Sequence, residues 1–342
     1  MGRIFSVIVA IFLIVSLCPA APAADVNEEQ TTEKYLGRTE EKTYKKVEEV
    51  RQERRYKTKL LLSAGQGYDN NVFLDPRRKH DTFSEAVIDA KVTVPMTGRI
   101  DMYGEISAHD ITYWEATDAN LIDTDIILGT ETKLFGGLTL KAYNDIEIVE
   151  YQSNDDGEYI GDKAGFVLKQ KLPNNFFHSF GYEYFYKDYS DRKARNGWGG
   201  LSGKDRQDNR STVDYELGVY LKKSMLKVFG EYYLNDSNDQ FMDYYNYDSI
   251  RLGSSAIYLV TNKLSAYASF YEQFRRYAER TVPGNLTNHE HDRTWVTSAA
   301  LYYELYKNTT LGLNYTYRQN GSNNPTQKYS GSITSLGVYY RF

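Results

Sequence analysis

Cysteine is nearly missing: the 342 residues contain one, Cys18. It lies in the apolar stretch near the start, so the rest of the chain offers no thiol to a disulfide or a metal. Long apolar runs are missing too. Beyond that first stretch, none reaches the roughly 20 residues that a spanning helix needs. A dominant charge is also absent. The formal net charge of −5 is too small and too mixed for a nucleic-acid surface, and no nucleic acid is expected as a partner. Nucleophile elbow, phosphate loop and zinc-ligand spacing do not occur, so no catalytic residue, metal or cofactor is expected.

What is present is tyrosine, 32 residues against 15 Phe and 3 Trp. Its ring suits an apolar boundary zone while its hydroxyl stays wet. Residues 1–23 read as a secretory signal: Arg3, an apolar core over 4–17, and a small-residue exit at Ala21-Pro22-Ala23. Lipidation at Cys18 competes with that reading, but Leu17 stands where a small residue is wanted. Residues 24–58 are charged and poor in apolar side chains. Glu41 and Lys45, and Glu48 and Arg51, have helical pair spacing, with Tyr44, Val47 and Val50 as a thin apolar stripe. This segment reads as a solvated periplasmic leader, a short helix, or a plug folded back into the remainder of the chain.

From Lys59 the rhythm becomes strict alternation. Ala86, Ile88, Ala90, Val92 and Val94 oppose Glu85, Asp89, Lys91 and Thr93. Leu138, Leu140, Ala142, Ile146 and Ile148 likewise oppose Lys141, Asp145 and Glu147. Tight turns are expected near Thr97, Gly136, Asn174, Lys223, Asn262 and Asn308. Longer polar connections fall between them, at 69–81, 110–120, 151–158, 188–210, 235–246, 277–292 and 319–328. Short and long connections alternate without exception, as in hairpin barrels that keep short periplasmic turns and longer external loops. The fold class is therefore all-β: residues 59–342 form a transmembrane antiparallel up-and-down β-barrel of about 14 strands, or 12 or 16 if a hairpin is missed or split. It would sit in a bacterial outer membrane with both termini periplasmic and lipid around it.

Alternation also sorts the charges. Asp89, Asp101, Glu105, Asp145, Glu147 and Glu216 point inward, as do Lys91, Arg99, Lys141, Lys163, Lys169, Arg251 and Arg275. Their near balance argues against a strongly ion-selective pore and for cross-strand pairing or a path for uncharged or mixed solutes. Gly65, Gly129, Gly161, Gly165, Gly181, Gly218, Gly253, Gly312 and Gly337 are inward on the same parity, to relieve crowding and keep space open, or to mark bulges. Trp114, Trp198, Tyr244 and Tyr245 lie in or beside long connections, as girdle aromatics or as a platform for sugar rings. His289-Glu290-His291-Asp292 and Asp236-Ser237-Asn238-Asp239 are weak metal signals and read as solvated loop.

Two stretches carry resemblances. At the end, Leu336, Val338, Tyr340 and Phe342 form one apolar row against Ser335, Gly337, Tyr339 and Arg341. This resembles the terminal signal of bacterial outer-membrane barrels, which implies that Ser335, Gly337, Tyr340 and Phe342 are read by the barrel assembly machinery. Near the start, Gly67-Tyr68-Asp69-Asn70-Asn71-Val72-Phe73 resembles the opening motif of the beta-barrel porin 2 family, often associated with surface polysaccharide. The resemblance implies a porin-like barrel that passes a polar solute or a surface polysaccharide, with the polysaccharide export apparatus as a partner. Two alternatives stand beside it: a non-transporting barrel whose loops bind an envelope or external partner, and an outer-membrane hydrolase.

Overall fold

The computed structural model describes residues 56–152 and 157–342. The signal and nearly all of the expected leader lie outside these residues. Its last members, Lys57 and Thr58, already belong to the first strand.

The strands, in chain order, are β1 (Lys57–Asp69), β2 (Asp81–Pro95), β3 (Ile100–Tyr113), β4 (Leu121–Lys133) and β5 (Leu138–Tyr151). β6 (Tyr159–Lys171), β7 (Phe176–Arg195), β8 (Leu201–Tyr220), β9 (Ser224–Ser237) and β10 (Tyr247–Leu259) come next. β11 (Leu264–Val282), β12 (Asn285–Tyr306), β13 (Thr309–Ser322) and β14 (Tyr329–Arg341) complete the chain. Each strand runs antiparallel to its sequence neighbours, and β1 pairs with β14 to close a 14-strand barrel. Over the span that all 14 strands share, closure leaves no open edge and the ladder hydrogen bonds are satisfied within the sheet, as a lipid surround demands.

The alternation expected from the sequence decides the faces. Leu128, Leu252, Leu301, Leu313 and Leu336 point out and are exposed, Leu128 by 66%. Such a band in water would be costly at ~25 cal/mol per Å², and it fits lipid instead. Aromatic belts border it. Phe135, Phe176, Tyr258, Tyr303, Tyr306, Tyr340 and Phe342 lie toward the short turns, and Tyr68, Tyr184, Tyr232, Phe274 and Trp295 toward the long loops. The β4–β5 turn takes its sharp bend from Gly136 and Gly137, at φ of 62° and 76°.

Two expected loops are strands. The segment 188–210 continues as the upper parts of β7 and β8, with register shifts around Lys193, and 277–292 continues as β11 and β12 across a two-residue turn at Pro283 and Gly284. Beyond the apolar band both faces carry polar residues, which erases the alternation while the ladder bonds persist.

The seam between β1 and β14 runs from Leu61 opposite Arg341 to Asp69 opposite Ile333. Phe342 adds one bond beyond it, its N–H donating to the Leu60 carbonyl at 2.9 Å. The Asp69–Asn71 part of the opening motif locks the upper end of this seam. Asp69 is fully buried and accepts from the Asn71 N–H at 2.8 Å and from Arg318 Nη2 at 2.6 Å. Asn70 makes three bonds with Ser332, two through its side chain and one through its N–H, and Asn71 Nδ2 donates to the Ser330 carbonyl at 3.0 Å. The residues that carry the resemblance hold the first strand to the last.

Candidate functional site

The inward wall is the candidate site, because every strand delivers alternate residues to it. Its glycines are not gaps. Gly67 lies directly opposite Phe83, Gly129 opposite Tyr103, Gly165 opposite Tyr143, Gly218 opposite Phe177, Gly253 opposite Phe229 and Gly312 opposite Tyr302. In each pair the ring covers the glycine: a Cβ on Gly165 would stand 2.7 Å from Tyr143 Cζ. The space expected to stay open is filled by a neighbour's ring, which pins the register and shields the backbone.

Charges cover the rings in turn. Between β2 and β6, Lys91 Nζ is 2.8 Å from Glu105 Oε2 and 4.3 Å from the Tyr103 ring centroid. Lys141 lies over Tyr103 and Tyr143, and Lys169 over Phe177 at 4.8 Å. Lys163 Nζ sits 3.0 Å from Asp145 Oδ2, 3.2 Å from Asp125 Oδ1 and 3.4 Å from Glu147 Oε2. Carboxylate oxygens of Asp123, Asp125 and Glu147 all lie within 4.8 Å of one another. That is ligand-like spacing, but the Lys163 ammonium already supplies a positive charge there. This sector is locally negative.

On the far side, Lys227 Nζ meets Glu216 Oε2 at 2.7 Å, and Arg251 pairs with Glu231. Arg275 lies on β11 among tyrosines, and Asp89 faces Lys91's side of the wall on β2. Asp101 begins the inward row of β3 opposite Glu131. Arg99 departs from expectation: it sits exposed in the β2–β3 turn, its N–H donating to Thr97 Oγ1. The residues of the terminal motif divide. Ser335 is buried opposite Gly67 and Gly337 faces Gly65 inward, while Tyr340 and Phe342 meet edge to face outside with centroids 4.5 Å apart.

At the long-loop end, arginines from two tall hairpins grip the β9–β10 loop between them. Arg206 lies 4.3 Å from the Tyr189 ring centroid and 3.3 Å from that of Tyr245. Arg195 reaches Tyr245 and Tyr244 at 5.7 and 5.2 Å, and Arg280 lies 3.9 Å from Tyr244 and 4.6 Å from Tyr277. Tyr244 and Tyr245, expected as sugar-contact candidates, therefore turn ring faces to guanidinium groups of their own chain. Trp198 and Trp114 stay open, at 96% and 62% exposure.

The two weak metal motifs also lie here. Glu290 is buried against Arg280 and Asn324, and Asp239 against Arg195, whereas His289 faces the Ala278 carbonyl. In the β1–β2 loop, a hydrogen bond from Arg77 holds the Asp75 carboxyl below its usual range. The buried Arg206–Asp208 pair and Arg210 escape a reading of the sequence, because their stretch looks like loop. The Pro283-Gly284 dipeptide is a turn signal from which the second tall hairpin could have been read, although 277–292 was expected as loop.

No family model matches the chain, and no curated relative matches it. Solved structures do. An anion-selective porin from Comamonas acidovorans aligns at a TM-score of 0.50 and 8% identity, covering 84% of this chain and 99% of that one. OmpT, an outer membrane protein of Vibrio cholerae, aligns at 0.47 and 9%, covering 84% and 100%. Acinetobacter baumannii OccAB1 aligns at 0.46 and 9%, covering 84% and 97%. At such identity the likeness concerns the fold alone: this chain, like the Comamonas acidovorans porin, folds as a closed antiparallel β-barrel.

Proposed function

We propose that the protein is an outer-membrane channel that passes a polar solute, with surface polysaccharide as the solute class. The observation that carries this reading is the partition of the closed sheet. Its outer face is apolar and exposed, and its inner face holds ion pairs, stacked lysines and hydroxyls. A wall built this way solvates a hydrophilic solute and repels lipid. The diameter of a barrel grows with strand number, and side chains already fill one of about eight strands; 14 enclose more. The polysaccharide class rests on the opening motif and its resemblance to the porin 2 family. The long loops then face the exterior, both termini the periplasm, and the last strand meets the assembly machinery.

The test is liposome swelling with purified barrel. Uncharged sugars of rising size should enter until a cut-off is reached. Liposomes that shrink and stay shrunken in even the smallest sugar would remove the channel reading and leave the loop-binding alternative.

A further inference from the structure

Several inward cations on this wall have a carboxylate of their own, as the Lys91–Glu105, Lys227–Glu216, Arg251–Glu231 and Arg318–Asp69 pairs illustrate, while Lys141 and Lys169 lie over rings instead. Three near the long-loop end also lack a carboxylate. Arg210 is held by Tyr247, whose hydroxyl accepts from its Nη2 at 3.0 Å, and lies 4.8 Å from the Tyr233 ring centroid. Arg275 stands 4.7 Å from the ring centroid of the same Tyr247 and donates from Nη1 to the Tyr277 hydroxyl at 3.2 Å. Lys187 rests on Tyr159 and Phe185, at 3.9 and 4.5 Å.

Among the described residues none of the three forms an ion pair with a carboxylate, and the Nε–H of both arginines is buried with no acceptor. The carboxylates nearest them each hold another partner through at least one oxygen, although Asp292 Oδ1 is buried without one. Asp208 holds Arg206, Glu231 holds Arg251, and Asp292, opposite Arg275 in the register, accepts from the Tyr277 hydroxyl at 3.3 Å. Two guanidinium groups thus share one tyrosine, with like charges close and donors unused. Both side chains are half-buried on the inward face rather than fully enclosed.

From this we infer that Arg210 and Arg275, with Lys187 beside them, bind a carboxylate carried by the solute. Guanidinium forks match a carboxylate in geometry as well as charge, and tyrosine walls suit the rest of a sugar ring. The inference rests on the channel reading for its meaning, but binding is measurable without transport.

Calorimetry on the folded, detergent-purified barrel gives the test, with trigalacturonate as the charged probe and maltotriose as a neutral one of similar size. Trigalacturonate should bind, more weakly as salt rises, and maltotriose should not. Joint substitution Arg210→Gln and Arg275→Gln should weaken trigalacturonate about tenfold or more, as loss of charge-assisted bonds does. Arg251→Gln, whose arginine already has Glu231, should change it little. If the joint variant does not fold, Arg210→Lys with Arg275→Lys keeps the charge but loses the forks, and should still weaken binding. Equal trigalacturonate affinity in native and variant barrels, equal binding of the neutral probe, or no binding at all would overturn the site. Failure of liposome swelling with binding intact would overturn the channel reading alone.

Discussion

Replacing Lys163 with glutamine removes the single ammonium shared by Asp125, Asp145 and Glu147. At 3.0, 3.2 and 3.4 Å, with an effective dielectric constant of about 20, each contact is worth roughly 5 kcal/mol before desolvation is subtracted. Lys163 and Asp145 are well shielded, with side-chain exposures of 16% and 8%. Removing one partner from such a cluster leaves like charges facing each other, a change that typically costs about 3–5 kcal/mol. The low end, about 3 kcal/mol, is expected here because the lumen side is wet. The assay has two readouts: the temperature at which the heat-modifiable band is lost, and the reversal potential in a salt gradient. Lys163→Gln should melt earlier than Lys91→Gln and move selectivity toward cations, and adding Asp145→Asn should restore part of both. Equal melting for Lys163→Gln and Lys91→Gln, with an unchanged reversal potential, would refute the clustered-charge account.

Gly129→Val should destabilise the barrel by about 1–3 kcal/mol, since the Cβ would meet the Tyr103 ring and stand 2.7 Å from the Ala142 carbonyl. Denaturant unfolding checks this, and pairing it with Tyr103→Ala should cost less than the two losses summed. Tyr244→Ala should loosen the β9–β10 loop by about 0.5–2 kcal/mol, since it removes stacking with Arg195 and Arg280. Limited proteolysis should then cut within residues 238–246, which the native barrel protects. In a Cys18→Ser background, cysteines introduced at Ser202 or Asn285 should react with an impermeant reagent on intact cells and one at Asn174 should not. The reverse pattern would invert the orientation.

The strand count and the turns were legible because a two-residue period written over a dozen residues needs no tertiary information: Ile126 and Leu128 against Asp125 and Glu131 already name two faces. The tall hairpins were not. Residues such as Lys193, Arg195, Asp205 and Arg206 meet water or one another on both faces, and only the ladder tells strand from loop. Parity placed the glycines inward but could not show that Tyr103 covers Gly129, because that depends on the register of the neighbouring strand. Arg99 was misplaced by the usual uncertainty at a turn. Tyr244 and Tyr245 look free in sequence, and their arginine partners come from hairpins far along the chain. The cations without carboxylates were hidden likewise, since a count of charges cannot say which ones pair.

A channel of this kind requires a wet inner face and a lipid-covered outer one, and two adjacent serines of β10 separate them. Ser255 points inward opposite Lys227 and Ser269, and Ser254 points outward opposite Val228 and Phe270. Each is changed to cysteine singly in a Cys18→Ser background, reconstituted in sealed liposomes and exposed to a hydrophilic, membrane-impermeant thiol reagent. The Ser255→Cys barrel should be modified readily and the Ser254→Cys barrel hardly at all. Modification of the Ser254→Cys barrel with protection of the Ser255→Cys barrel, or protection of both, would contradict a water-filled polar path through the sheet.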